Sequence, residues 1–215
     1  MYPYPLLQKN ITIFPIFGEQ TQGDPYIFDY SNEDFLSVDP RNMDDMNNYN
    51  REHLKNSGKI WGLGGYLENR SHILKGTHIQ QQGRIYHLGV DITPTEALSL
   101  FNPLHGEVYE RGYEEGDGNY GGYMIIRYTL GGTVFYALYG HLSYESLNTQ
   151  SIIPQGESIG KLGNTSENGN WFVHLHLQIF TGEEMDTWKN RGYCWVEDVP
   201  NMKYICPDPN FLIRY

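Results

Sequence analysis

From residue 84 onward, short runs of apolar and β-branched residues alternate with clusters of Gly, Asn, Pro and Ser, the pattern of consecutive strands and turns. Arg84 to Thr93 reads as a strand with a bend, and 98–101 and Gly106 to Glu110 as strands interrupted by Asn102-Pro103. Gly121 to Leu130 and Thr133 to Tyr139 flank Gly131-Gly132, a strong signal for a two-residue hairpin. Ser158 to Leu162 and Trp171 to Phe180 complete the set, joined by a loop containing GNTSENGN, a string of turn formers.

Upstream the pattern is weaker. Residues 1 to about 30 combine prolines and aromatics with short apolar pieces such as Ile11 to Phe17, and read as an extended arm lying on the core. Residues 31–57 concentrate Asn, Asp and Met among few core formers, so a loop or short helix, partly mobile, is expected there. Ile60 to Tyr66 resumes apolar character with glycines at bends, an entry strand. No long helical period is evident. The expected organisation is one core over 84–180, an N-terminal extension over 1–83 that packs on or over it without being an independent domain, and a tail over 181–215.

Composition narrows the function. With 215 residues the chain supports one well-packed domain and substantial extra segments. A net charge of −11 disfavours nucleic acid, whose binding depends on clustered Lys and Arg. No segment reads as membrane-spanning. MYPYPLLQKNITIF lacks the basic and apolar regions of a leader, so a cytoplasmic location is expected if the chain is whole, and a periplasmic or secreted one if a leader was removed. Cys194 and Cys206 fit neither a zinc ribbon nor a disulfide framework and read as free, buried thiols.

The chemistry centres on histidine. A histidine is more often a surface or hydrogen-bonded core residue than a ligand, and His53, His72, His78 and His105, in polar or turn contexts, keep that ordinary role. His174 and His176 differ. Two apart on a strand, they project from one face about 7 Å apart, where both can lie beside one metal ion, or one can bind it while the other handles protons. A further ligand must come from elsewhere, and His87-Leu-Gly-Val-Asp91 offers an imidazole and a carboxylate either side of a glycine. Residues four apart on a straight strand are about 13 Å apart, so the chain must bend between them, which Gly89 permits.

Taken in order and spacing, His87-Leu-Gly-Val-Asp91, Asn102-Pro-Leu-His-Gly-Glu-Val108, Tyr139-Gly-His-Leu-Ser143, Gly156-Glu-Ser-Ile-Gly160 and His174-Leu-His176 resemble the lysostaphin and LytM-like zinc endopeptidases, metallopeptidase family twenty-three. The resemblance covers about residues 84–180. It implies a mostly β fold, a compact antiparallel sandwich or barrel-like core of the lysostaphin type (the duplicated hybrid motif), with an irregular N-terminal extension and a groove that has zinc at its floor. It further implies that His87, Asp91 and His176 are the ligands of one zinc ion, and that His141 and His174 are the catalytic histidines. Two imidazoles and a carboxylate leave one tetrahedral position open for water. The sequence departs from the family at Val173, where proline is usual, and at Leu177 and Gln178, where Phe and Glu are commoner.

The function so implied is zinc-dependent hydrolysis of a peptide bond in peptidoglycan-like or small-residue peptides. A non-catalytic binding or regulatory module and a hydrolase acting on a non-wall substrate are the alternatives. Peptide or peptidoglycan is the expected partner, without nucleic acid or membrane insertion. Because several family members carry an upstream segment that covers the zinc, part of residues 31–57 is expected over the groove, the competing reading being a solvated loop.

Overall fold

The computed structural model describes residues 12–18, 23–31, 38–95, 99–182 and 184–213. The expectations that fall on 1–11, 32–37, Leu98 and the last two residues lie outside this range. The Gly131-Gly132 signal marks the middle of the main sheet. Strands β7 (Gly121–Leu130) and β8 (Thr133–Leu142) pair outward from Leu130 and Thr133, and both turn glycines have positive φ, 56° and 84°, as a two-residue hairpin of matching twist requires. β6 (Gly106–Glu114) lies outside β7, and β9 (Ile152–Ile153) outside β6. On the other side of β8 follow β11 (Leu175–Thr181), β4 (Val90–Pro94), β2 (Trp61–Gly64) and β1 (Tyr26–Phe28). Two short ribbons stand apart: β5 (Ser99–Phe101) with β10 (Ser158–Lys161), and β3 (Tyr86–His87) with β12 (Tyr193–Cys194).

The fold is mostly β, as expected, with every sheet pairing from β4 through β11, β8, β7 and β6 to β9 antiparallel; the eight-stranded sheet is open rather than a closed barrel, and one parallel pair makes it mixed. The cause is the N-terminal region. β1 runs parallel to β2, and a parallel neighbour requires a crossover, supplied by α1 (Met43–Ser57) between them.

That helix corrects the reading of 31–57 as a loop or short helix. Asn42 caps it, accepting from the backbone N–H groups of Asp44 and Asp45, and Gly58 closes it. Met46, Asn50 and Leu54 recur every four residues as its buried stripe. Met46 and Leu54 pack into a cluster with Phe28, Tyr30, Leu74 and Phe172. The helix was hard to see because one member of that stripe is an asparagine. Asn50 is buried with its Oδ1 accepting the Tyr30 hydroxyl. α2 (His78–Gln81), α3 (Met185–Trp188) and α4 (Val199–Ile205) are short. A second correction concerns the strand read from Trp171: pairing begins at Leu175, and residues 171–174 are irregular. The largest cluster fills one side of the sheet with Val90, Met124, Ala137, Leu175 and Ile179. A third holds Leu138, Phe180 and both cysteines, which are buried and free.

Candidate metal centre

Three neighbouring elements deliver three donors. In the β11–β4 pairing His176 lies directly opposite Asp91, so their side chains start about 5 Å apart on one face. His87 belongs to the separate ribbon β3, and the break at Leu88-Gly89 turns its ring towards the same point. Gly89 is needed there for close approach: a Cβ would lie 2.5 Å from the Leu177 carbonyl oxygen and 2.9 Å from the His176 ring. The result is a tight triangle. His87 Nε2 is 3.0 Å from His176 Nδ1, and Asp91 Oδ1 is 3.3 Å from the first and 3.4 Å from the second.

The protons are placed by the partners on the far side of each ring. His87 Nδ1 lies 3.0 Å from the Gly65 carbonyl, which only accepts, and 3.3 Å from Arg70 Nη2, which only donates; the shorter carbonyl contact favours the hydrogen on Nδ1, with the Nε2 lone pair turned inward. His176 Nε2 faces Gln178 Oε1 at 2.9 Å, while the Gln178 amide nitrogen donates to the Arg191 carbonyl at 3.1 Å. That second bond fixes the amide's orientation, so His176 Nε2 donates and its Nδ1 lone pair also faces inward. Asp91 Oδ1, buried, has no hydrogen-bond partner. Two lone pairs and an orphaned carboxylate oxygen at 3.0–3.4 Å from one another are unfavourable neighbours unless a cation lies among them. Tetrahedral zinc with bonds of about 2.0–2.1 Å needs donors about 3.3 Å apart, so the residues present fit that ion. His87, Asp91 and His176 are all buried and are, among the described residues, the one group of three such side chains close enough to share a metal.

Arg70 supports the triangle. Its guanidinium, 1% exposed, donates from Nη1 to Asp91 Oδ2 at 2.9 Å, pairs through Nε with Glu68, and lies 4.6 Å over the Tyr30 ring. Burial pushes the Asp91 carboxyl upward, but the surrounding imidazoles and Arg70 outweigh it and hold the group well below the usual range. Burial lowers His87 to about 4, leaving it neutral as a ligand must be.

His141 and His174 complete the constellation. His174 Nε2 is 3.4 Å from Asp91 Oδ1, and its Nδ1 donates to the Phe172 carbonyl at 2.7 Å. His141 Nδ1 donates to the Asn168 carbonyl at 2.8 Å, and the His141 and His174 rings are 4.4 Å apart. Both Nε2 atoms are left to face the site. His141 has φ 65°, a left-handed conformation that costs energy for a non-glycine residue. Its backbone is pinned on both sides, N–H to Tyr120 and carbonyl to Gly163, each at 2.9 Å. Burial first, then His174 and His176, hold its pKa well below the ordinary histidine value, so the ring is neutral.

A small cleft of about 40 Å³ opens over His141, His174 and His176. None of the described residues of 31–57 lines it, contrary to the covering role expected of that stretch. His78, given an ordinary role from sequence, does line it, as do Arg84, Glu114 and Tyr120. Arg70, Glu68 and Tyr120 were missed as well. Arg70 had a findable signal, since an arginine among buried neighbours needs a carboxylate and Asp91 was already singled out.

Residues 85–187 match the family model described as Peptidase family M23. No curated protein matches the chain. Among solved structures, the catalytic domain of the antimicrobial peptidase lysostaphin from Staphylococcus simulans is 21% identical, with a TM-score of 0.38 over 55% of this chain and 80% of that one. A zinc-containing peptidase from Vibrio cholerae is 19% identical, TM-score 0.37, over 45% of this chain and 28% of the other. A putative peptidase M23 from Pseudomonas aeruginosa is 20% identical, TM-score 0.38, over 59% and 43%. The chain thus spans less than half the length of two of these three. The family match covers the triangle, His141, His174 and the strands that carry them. Residues 85–187, just under half of the chain, accordingly carry the pattern of peptidase family M23.

Proposed function

We propose that the chain is a zinc-dependent endopeptidase acting on peptidoglycan-like or small-residue peptides. The observation that carries this reading is the triangle of His87 Nε2, Asp91 Oδ1 and His176 Nδ1, with the carboxylate oxygen unpartnered. These three residues would hold one zinc ion. A zinc ion there supplies Lewis acidity, polarising a carbonyl and lowering the pKa of water.

The chain's own residues do the rest. His141 and His174 each hold one nitrogen hydrogen-bonded to a backbone carbonyl, so proton traffic is confined to the Nε2 atoms facing the cleft. His141, neutral and fixed by its strained backbone, accepts a proton there, and once protonated it donates to a developing oxyanion. Arg70 keeps Asp91 ionised and fixes its orientation through Oδ2. A non-catalytic module would have no use for two further imidazoles beside a complete donor triangle.

The test is elemental analysis followed by digestion of purified peptidoglycan and of glycine-rich peptides, with product masses read out. About one zinc per chain and new peptide termini are expected. A folded, zinc-loaded protein that cleaves none of these would overturn the reading.

A further inference from the structure

Beside the imidazoles, the cleft wall carries a tyrosine hydroxyl without a partner and an arginine without a carboxylate, among the described residues. Tyr120 is 6% exposed, and its hydroxyl has no partner. Its ring is held against His176 at 5.4 Å and His141 at 5.9 Å, and its backbone carbonyl accepts from the His141 N–H. The hydroxyl is therefore fixed in direction. Gly192 adjoins it: a Cβ there would lie 3.5 Å from the hydroxyl, so the glycine leaves that face uncovered. A buried hydroxyl without a partner costs free energy that a bound acceptor would recover.

Arg84 is the second donor. It lines the same cleft, and its one side-chain bond is from Nε to Gln82 Oε1 at 2.9 Å. Among the described residues no carboxylate lies within ion-pair distance of it, whereas Arg70, Arg127 and Lys189 all have one. Its near charged neighbour is another cation, Arg191, which opposes it. Arg191 lies over Trp188 and Trp195 at 5.2 and 5.5 Å, and Trp195 is tied back by its indole N–H to the Gln82 carbonyl. Two guanidinium groups left together in a chain of net charge −11 are an expensive arrangement with no internal purpose. Glu114, also on the wall, accepts from the backbone N–H of Tyr120.

A guanidinium can only donate, a tyrosine hydroxyl donates readily, and the group that accepts from both at once is a carboxylate. We propose that Arg84 and Tyr120 form a carboxylate-binding subsite at the edge of the metal centre. The favoured substrate then carries a carboxylate next to the bond presented to His141 and His174. The word substrate rests on the peptidase reading above; the subsite itself does not. The carboxylate has two possible sources, a free peptide C-terminus or an acidic side chain.

The experiment uses the intact, zinc-loaded protein and two matched pairs of N-acetylated peptides. One pair differs as free acid against carboxamide at the C-terminus, the other as Glu against Gln inside an amidated peptide. Binding is followed by calorimetry and cleavage by product mass. In at least one pair the carboxylate member should bind about tenfold tighter or better, as charge-assisted bonds imply. The ratio should fall towards one in Arg84→Gln and be reduced in Tyr120→Phe, which keeps the packed ring and removes only the hydroxyl. The pair that discriminates identifies the source. Discrimination without any cleavage would uphold the subsite and sink the peptidase reading. Cleavage of both members of both pairs at equal affinity would do the reverse, and discrimination that persists unchanged in Arg84→Gln would overturn the subsite whatever the cleavage result.

Discussion

At the scale of single residues, the division between metal holding and proton handling is open to direct measurement. His176→Ala or Asp91→Ala removes one corner of the triangle and should lose zinc and activity together. His141→Ala leaves all three corners in place, so it should keep about one zinc per chain while losing about 10²–10³-fold in kcat. Metal content and peptide hydrolysis on the same samples decide it, and an empty site in His141→Ala would refute the division. Gln178 shows what sequence could and could not convey. Its departure from the commoner glutamate was visible, but the reason is spatial: the amide must accept from His176 Nε2 and donate to the Arg191 carbonyl, and a carboxylate has no hydrogen for the second task. Gln178→Leu should therefore weaken zinc binding by about 10–100-fold, through loss of the bond that fixes the ring. Competition with a chelator of known affinity would read this, and unchanged affinity would show the ring held by packing alone.

At the scale of elements, most strands from 86 to 181 were legible as short apolar runs between turn formers, whereas the two-residue β9 and the second half of β6 were not read. β7 runs from Gly121 to Leu130 as read, and the extension of β8 through His141 was missed only because a bulge interrupts its pairing there. The site was legible for the same reason, since cross-strand pairing turns two motifs distant in sequence into opposite residues, His176 and Asp91. What failed was α1, whose stripe of Met46, Asn50 and Leu54 is diluted by polar residues. Its role is support rather than cover. Asn47 Oδ1 accepts from the Val173 N–H at 2.9 Å, bracing the segment that leads into His174, and Asn50 holds the Tyr30 ring beneath Arg70. Leu54, 0% exposed, should cost about 2–5 kcal/mol on truncation to alanine. A chain beginning near Gly58 should lose stability and activity together, where a covering segment would have given a stable and faster enzyme. Thermal unfolding beside hydrolysis rate distinguishes the two.

At the scale of the whole molecule, the buried imidazoles link stability to pH. His87 is lowered to about 4 by burial, against about 6.5 in the unfolded chain, and His141 is lowered in the same direction. Between these values the unfolded chain binds protons that the folded one refuses, so the unfolding free energy rises with pH. The stability tied to His87 is fully present above about pH 6.5 and is lost as pH falls towards 4, by about 1.4 kcal/mol at pH 5.5. His141 adds to the loss. The carboxyls of Glu68 and Glu114, raised by burial, act in the opposite sense, taking up protons in the folded state as pH falls. Asp91, held low, contributes only under more acidic conditions. Because two imidazoles titrate first on the way down from neutrality, the metal-free protein should be less stable at pH 5.5 than at pH 7.5. Urea unfolding of protein kept in chelator at the two pH values measures this, with the slope m expected to stay constant. Stability that is equal or higher at pH 5.5 would mean that His87 and His141 protonate within the fold, and that His87 is not held neutral by burial before the metal arrives.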